Sequence, residues 1–235
     1  MKTVQFSVDE VAVAGNSSMI VTAICEKGAF RLRELLLTDP DVIRFFMIDD
    51  VKIGKNSQFC SDASVPARFF EKSERQQGLY YDTLPRGLRF GICVTNISDL
   101  ARTFKGVMSG DLVDLDHHER PARLATESRH ILGLGLATVS PRSKLTVRTQ
   151  AHVIFKPETM FVPAHVLDGI RVNAVRVVGE DILRADEELE ILVGEQAAFR
   201  SSPTMQIADW LCIDVENLTD TPKLFCGAIV GVSTF

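Results

Sequence analysis

Apolar and polar residues alternate with a period of two in Phe90-Gly91-Ile92-Cys93-Val94, in Leu211-Cys212-Ile213-Asp214-Val215 and, over a longer run, from Ile170-Arg171-Val172-Asn173 through Ala174-Val175-Arg176-Val177. Segments of this kind turn one side-chain face into a core and the other to solvent, so they predict strands of half-buried sheets. Turn signals separate them: Ala14-Gly15-Asn16-Ser17-Ser18, Thr38-Asp39-Pro40-Asp41, Gly54-Lys55-Asn56-Ser57, Leu84-Pro85-Arg86-Gly87, Val139-Ser140-Pro141-Arg142 and Thr219-Asp220-Thr221-Pro222. Helical pattern is confined to 68–75 and parts of 121–130. The expectation is an all-β chain of short strands in a sandwich or barrel.

The pattern occurs twice. Laid without gaps over 92–110, the stretch 213–231 is identical at seven of nineteen positions, among them Asn96/Asn217, Asp99/Asp220, Phe104/Phe225, Gly106/Gly227 and Gly110/Gly231. Ordinary residue usage would give about one identity. Upstream, 30–54 matches 155–179 in spacing, pairing Leu35/Met160, Leu36/Phe161, Phe45/Ile170, Met47/Val172 and Ile53/Val178. The offset falls from 125 to 121 between the two blocks, so four residues are missing from copy two between Gly179 and Asn217. The duplication predicts two tandem units, 1–112 and 127–235, joined by the charged connection 113–126, each with about eight strands as in a jelly roll. An immunoglobulin-like sandwich has similar strand content, but neither copy carries its Cys-Trp-Cys spacing: Trp210 is the single tryptophan, and copy one has Arg89 there.

Composition narrows the class. A chain with 46% hydrophobic and 24% charged residues can bury a core, and a net charge of −5 argues against a general nucleic-acid binder. The one basic run, Arg142, Lys144, Arg148 and Lys156, reads as the polar positions of a solvated strand. Five cysteines (Cys25, Cys60, Cys93, Cys212 and Cys226) form no C-x-x-C pair and do not match between copies, so free buried thiols in a reducing compartment are expected. No continuous apolar leader segment or uncharged stretch of membrane-spanning length is present.

Catalytic chemistry is thin. The densest polar cluster, Asp114, Asp116, His117, His118 and Glu119, with His130 beyond it, lies between the copies, and adjacent histidines on extended chain diverge rather than converge on a metal. A solvated linker is therefore favoured over a bicupin metal site, and no metal or cofactor is expected. His152 and His165 are isolated, and Gly133-Leu134-Gly135-Leu136 lacks the third glycine of a dinucleotide fingerprint. Asn96-Ile97-Ser98 and Asn217-Leu218-Thr219 fit glycosylation sequons, yet an asparagine closing a strand also caps a turn, and that structural use is preferred.

Two consecutive jelly rolls with little helix and no evident active site resemble the double jelly-roll major capsid proteins of icosahedral viruses and tailless phages. The phrases from Ile48-Asp49-Asp50-Val51-Lys52-Ile53 through Gly54-Lys55-Asn56-Ser57-Gln58-Phe59, and Val65-Pro66-Ala67-Arg68-Phe69-Phe70, are similar to strings in small phage-encoded proteins of this kind. The resemblance implies strands standing perpendicular to a shell, a homotrimeric pseudo-hexameric capsomer, contacts with minor or vertex proteins, residence in the virion after synthesis in the host cytoplasm, and neither catalysis nor cofactor. A tandem β-sandwich module for carbohydrate or another ligand is the alternative, with Tyr80, Tyr81 and Trp210 as its aromatic candidates beyond phenylalanine. A bicupin-like metalloenzyme ranks third.

Overall fold

The structure, a computed structural model, describes residues 2–26, 28–113, 128–184, 196–199 and 201–234. The chain divides into two compact units, Met1–Phe59 with Pro66–Ser128 and Cys60–Val65 with Arg129–Phe235. Beyond Val113 the expected connection lies outside the described residues.

Unit 1 contains β1 (Lys2–Ser7), β2 (Val11–Val13), β3 (Ser17–Ile24), β4 (Ala29–Leu36), α1 (Pro40–Phe45), β5 (Phe46–Ile53), β6 (Asn56–Ser57), β7 (Val65–Pro66), a 3-10 turn (Ala67–Glu71), α2 (Ser73–Gln76), β8 (Thr83–Leu84), β9 (Arg89–Asn96), β10 (Arg102–Phe104) and β11 (Val107–Val113). Unit 2 contains β12 (Ser128–Val139), β13 (Lys144–Gln150), β14 (Ile154–Phe161), α3 (Ala164–Leu167), β15 (Ile170–Val177), β16 (Glu180–Arg184), β17 (Gln196–Ala198), β18 (Trp210–Asn217) and β19 (Lys223–Thr234). The sheet orders are β1-β11-β4-β8 and β3-β9-β5-β6 in unit 1, and β12-β19-β14-β17 and β13-β18-β15-β16 in unit 2. Setting aside the short β2, β7 and β10, the described residues of each unit form eight strands in chain order, and both units pair them first-eighth-third-sixth and second-seventh-fourth-fifth. That winding is a jelly roll, and it occurs twice.

The same irregularities recur. One residue bulges from β4 against β11 at Arg33, and one from β14 against β19 at Glu158. Asp49 bulges from β5 against β9, as Asn173 does from β15 against β18. This last register corrects the sequence alignment by one place. Phe46 pairs with Asn96 and Ile170 with Asn217, so the counterpart of Ile170 is Phe46 rather than Phe45, and that of Val177 is Ile53. The cause is an extra residue, Thr38, between β4 and the short helix of unit 1. A one-place slip turns every side chain over, and only the corrected register puts Phe46, Ile48, Val51 and Ile53 in the core with Ile170, Val172, Val175 and Val177.

Two helices escaped the sequence reading: the four-residue α3, too short to show a helical period, and α1, because Thr38-Asp39-Pro40-Asp41 scores as a turn. Asp39 is in fact the N-cap of α1, its Oδ1 accepting from the backbone N–H groups of Asp41 and Val42 at 2.9 and 3.3 Å, with Pro40 at the first helical position. The region 68–75 holds short helical turns as expected, whereas 128–130 belongs to β12. Phenylalanines fill unit 1: Phe30 meets Phe6 and Phe90 edge-on at 4.9 and 5.7 Å, and Phe46 meets Phe104 at 5.4 Å. In unit 2, Phe155, Met160, Phe161, Met205 and Phe225 are buried.

Residues 60–65, placed by the repeat within the first sandwich, group with unit 2. Cys60 N–H donates to Ile131 O, Gly133 N–H to Ser61 Oγ and Gly135 N–H to Ser64 O, each at 2.9 Å, and His152 N–H donates to Cys60 O at 2.8 Å. A Cβ at Gly133 would collide with the Ala63 carbonyl, which accounts for the glycine. In unit 1, where β8 is only two residues long, the buried Gln76 side chain takes the place of a strand partner: its Oε1 accepts from Leu35 N at 2.9 Å and its Nε2 donates to Leu35 O at 2.7 Å.

Candidate functional site

The duplicated Asn-x-Ser/Thr-Asp sequence closes the second-seventh strand corner of each unit. Asn96, fully buried at the end of β9, donates through Nδ2 to the carbonyls of Val13, Ala14 and Leu100 at 3.0, 3.2 and 2.8 Å, while its Oδ1 accepts from Ser98 N and Oγ at 3.0 and 2.8 Å. Asn217 repeats the arrangement at the end of β18, donating to Val139 O and Thr221 O at 3.0 and 2.7 Å and accepting from Thr219 N and Oγ1 at 2.9 and 2.7 Å. The final aspartate ties in the facing turn: Asp99 accepts from Asn16 Nδ2 and Asp220 from Arg142 Nε, both at 2.9 Å. Asn16 and Arg142 share the left-handed conformation, with φ of 51° and 50°. Each amide serves the fold completely, and a buried amide donating in this way is closed to glycosylation while the unit is folded.

The outer faces of the sheets built on β9 and β18 have different chemistry. In unit 2, Arg176 NH1 lies 2.8 Å from Asp214 Oδ2, Arg171 donates to Glu216 at 2.6 Å, and Thr146 donates to Asp214 at 2.7 Å. In unit 1 the corresponding polar chain is short: Thr95 Oγ1 donates to Asp49 Oδ2 and lies beside Ser18 Oγ, both at 2.6 Å. Burial raises the carboxyl pKa of both Asp49 and Asp50 above the ordinary value.

Unit 1 also holds a groove of about 650 Å³ lined in part by Arg31, Arg33, Glu34, Glu74 and Tyr80. Its cations are already engaged. Arg31 Nε donates to Thr83 Oγ1 at 3.1 Å, and Arg33 Nε donates at 2.6 Å to the buried Asp111, which also accepts from Thr3 at 3.0 Å. Of the three aromatic candidates, Tyr80 and the largely buried Tyr81 both line this groove, whereas Trp210 belongs to unit 2 and is 49% exposed.

Asp114, Asp116, His117, His118 and Glu119 lie outside the described residues. His130 sits on β12 and His165 on α3, while the exposed His152 Nε2 is 3.3 Å from Asp62 Oδ2. Among the described residues no group of three or more His, Cys, Asp or Glu is placed to hold a metal ion. All five cysteines are free thiols; burial pushes Cys226 up to about 12 and raises Cys60 further. Among the described residues no helix is long and apolar enough to cross a membrane.

No protein-family model matches the sequence, and no curated protein matches it. Folds tell more. The structure aligns over 99% of this chain with 98% of the major capsid protein P2 from bacteriophage PM2, at a TM-score of 0.50 and 10% identity. The chain has the fold of that protein. Looser likenesses are to VP54 of PBCV-1, a structure fitted into a cryo-EM reconstruction of the virophage Sputnik (TM-score 0.43, 8% identity, 99% of this chain and 93% of that one), and to a triple jelly-roll protein of an archaeal virus (0.32, 7%, 97% and 60%).

Proposed function

We propose that this chain is a self-assembling double jelly-roll capsid protein, a structural component of a virion, whose homotrimers tile as pseudo-hexamers. The observation that carries the reading is the identical strand order of the two units in a chain sharing its fold, end to end, with the PM2 major capsid protein. The physical logic is one of symmetry. Three copies of a two-unit chain offer six similar corners, so a threefold capsomer packs as though it were sixfold, and the same internal core geometry serves at every corner. On this reading the protein has no catalytic role, and its partners are further copies of itself together with minor or vertex proteins of the shell.

Sedimentation of the purified chain at micromolar concentration, in low and high salt, tests the proposal. A trimer or larger particle is expected; a folded protein that stays monomeric throughout would overturn it. A monomer would promote the tandem binding-module reading, for which the Tyr80 groove is the specific observation. Stoichiometric zinc, iron or manganese that disappears on His118→Ala would instead favour the bicupin enzyme.

A further inference from the structure

Two apolar patches, one on each unit, differ from the corresponding surface of the other unit, where the place of the strip is polar and the turn matching the knob exposes the single apolar residue Leu88. The first is a strip on β3, an edge strand: Ile20 is 59% and Ile24 42% exposed, both on the outer face, where Ile20 lies over Gly91. The corresponding edge of unit 2 is guarded. By register Thr146 and Gln150 occupy those places, flanked by the exposed Lys144 and Arg148, and charged or polar outward residues are the usual protection of a free sheet edge.

The second patch is a knob at one corner of unit 2. Val178, Ile207 and Trp210 are 51%, 64% and 49% exposed, and the Val178 N–H donates to Trp210 O at 3.4 Å, joining the two turns that carry them. Val178 has a φ of 52° and Ala208 one of 70°, whereas the same turns of unit 1 use Gly54 and Gly87, at 63° and 78°, with Arg86 and Arg89 in place of Ile207 and Trp210. A β-branched residue rarely adopts the left-handed region, where glycine is free of strain. A half-exposed valine held in that region is strained where unit 1 uses glycine, and strain of this kind clusters at functional surfaces.

The surroundings are of opposite sign. The strip's Ile24 end carries four cations, Lys52, Lys55, Arg86 and Arg89, against the one carboxylate Glu26, and the knob three carboxylates, Glu180, Asp181 and Asp209, against the one cation Arg148. We propose that the patches are the two halves of one contact between copies: the Val178-Ile207-Trp210 knob of one chain packs on the Ile20-Ile24 strip of the next. This deepens the self-assembly reading and rests on it. The contact is heterologous, so it closes into a ring when its rotation permits, and its unlike halves fix which corner of one chain meets which corner of the next.

The internal repeat supplies the test variants, because each can receive the residues its counterpart already carries in the same fold. Ile20→Thr with Ile24→Gln alters the strip, Ile207→Arg with Trp210→Arg alters the knob, and Val178→Gly relieves the strain. Sedimentation velocity of the full chain should show each double variant needing a concentration at least ~100-fold higher than the wild type to associate, and Val178→Gly ~10-fold higher with an unfolding midpoint no lower than wild type. Mixing the strip variant with the knob variant leaves one intact contact and should yield a 1:1 dimer and nothing larger. Variants that fold and assemble like the wild type, or a mixture that stays monomeric, would overturn this contact while leaving self-assembly standing. A wild type that is monomeric at every concentration would overturn the self-assembly reading and this contact with it.

Discussion

On the seventh strand of each jelly roll, the residues facing inward are Phe90, Ile92 and Val94 in unit 1 and Leu211, Ile213 and Val215 in unit 2, all fully buried. The residues facing outward are Gly91, Cys93 and Thr95 in one and Cys212, Asp214 and Glu216 in the other. One face has kept its chemistry and the other has not. Inward positions answer to packing against the opposite sheet, where a change of even one methylene is felt; outward positions answer to looser pairings such as Arg176 with Asp214 and to what lies beyond the unit. The difference between the units is therefore informative about partners, whereas their agreement is informative about folding.

The largest effect should come from the shared core. Phe104→Ala and Phe225→Ala each remove a fully buried ring and should cost about 3–5 kcal/mol. Amide hydrogen exchange followed by mass spectrometry would locate the damage, expected within unit 1 for the first and unit 2 for the second. Equal deprotection of both units by either variant would break the comparison by showing that they unfold as one.

Next come the asparagines. Asn96→Ala removes three donated bonds and Asn217→Ala two, while Ala14 O, Leu100 O and Thr221 O keep the hydroxyls of Ser17, Ser98 and Thr219, so losses of roughly 1–3 and 1–2 kcal/mol are expected in denaturant titration, with unit 1 the harder hit. If the order were reversed, the count of donated bonds would not be what sets the strength of the corner.

These asparagines show how much was legible in the sequence. Asn96/Asn217, Phe104/Phe225 and Gly110/Gly231 stand out because each does a job only that residue does. The glycines are a steric case: a Cβ at Gly110 would lie 2.5 Å from Phe30 Cζ, and one at Gly231 2.7 Å from Phe155 Cζ. Strand periodicity likewise located β9, β15 and β18. What stayed hidden was non-local. The single inserted residue Thr38 has no local signature, so the alignment slipped by one place across β5; a bulge such as Asp49 or Asn173 is equally silent in sequence, and the 60–65 segment bonds to β12 largely through backbone groups that no side-chain pattern encodes. The outer patches were hidden for another reason. An apolar residue on an outward position is indistinguishable from a core residue until the register is known, and Ile20 and Val178 become informative only beside Thr146 and Gly54.

A smaller effect should separate the units at the sixth strand. In unit 1 the Gln76 amide stands in for a strand, while in unit 2 β17 pairs Met160 and Phe161 directly. Gln76→Ala leaves the Leu35 N–H and C=O without that partner and should cost about 1–3 kcal/mol, confined to unit 1. Gln76→Glu is the sharper probe, since a carboxylate keeps the bond from Leu35 N but cannot donate to Leu35 O; a variant as stable as wild type would mean that the donated bond contributes nothing.

The smallest effect concerns charge at the mirrored bulge of β5 and β15, where unit 1 has Asp49 and unit 2 the neutral Asn173. Desolvation by burial raises the Asp49 pKa above its ordinary 3.8, against the lowering effect of the Thr95 hydrogen bond. A carboxyl with a raised folded-state pKa binds its proton more tightly folded than unfolded, so its contribution falls as pH climbs from 3.8 through the folded value and stays low above it. Asp49→Asn, which gives unit 1 the residue of unit 2 and keeps an acceptor for Thr95, should therefore match the wild type near about pH 3 and exceed it near about pH 7. Asp49 is only half-buried, so solvent screening holds the gain below about 1 kcal/mol. Thermal unfolding of the two proteins across that range would check it. A difference that shrank as the pH rose would mean that the charged form is favoured in the fold, with the Thr95 hydrogen bond outweighing desolvation at this bulge.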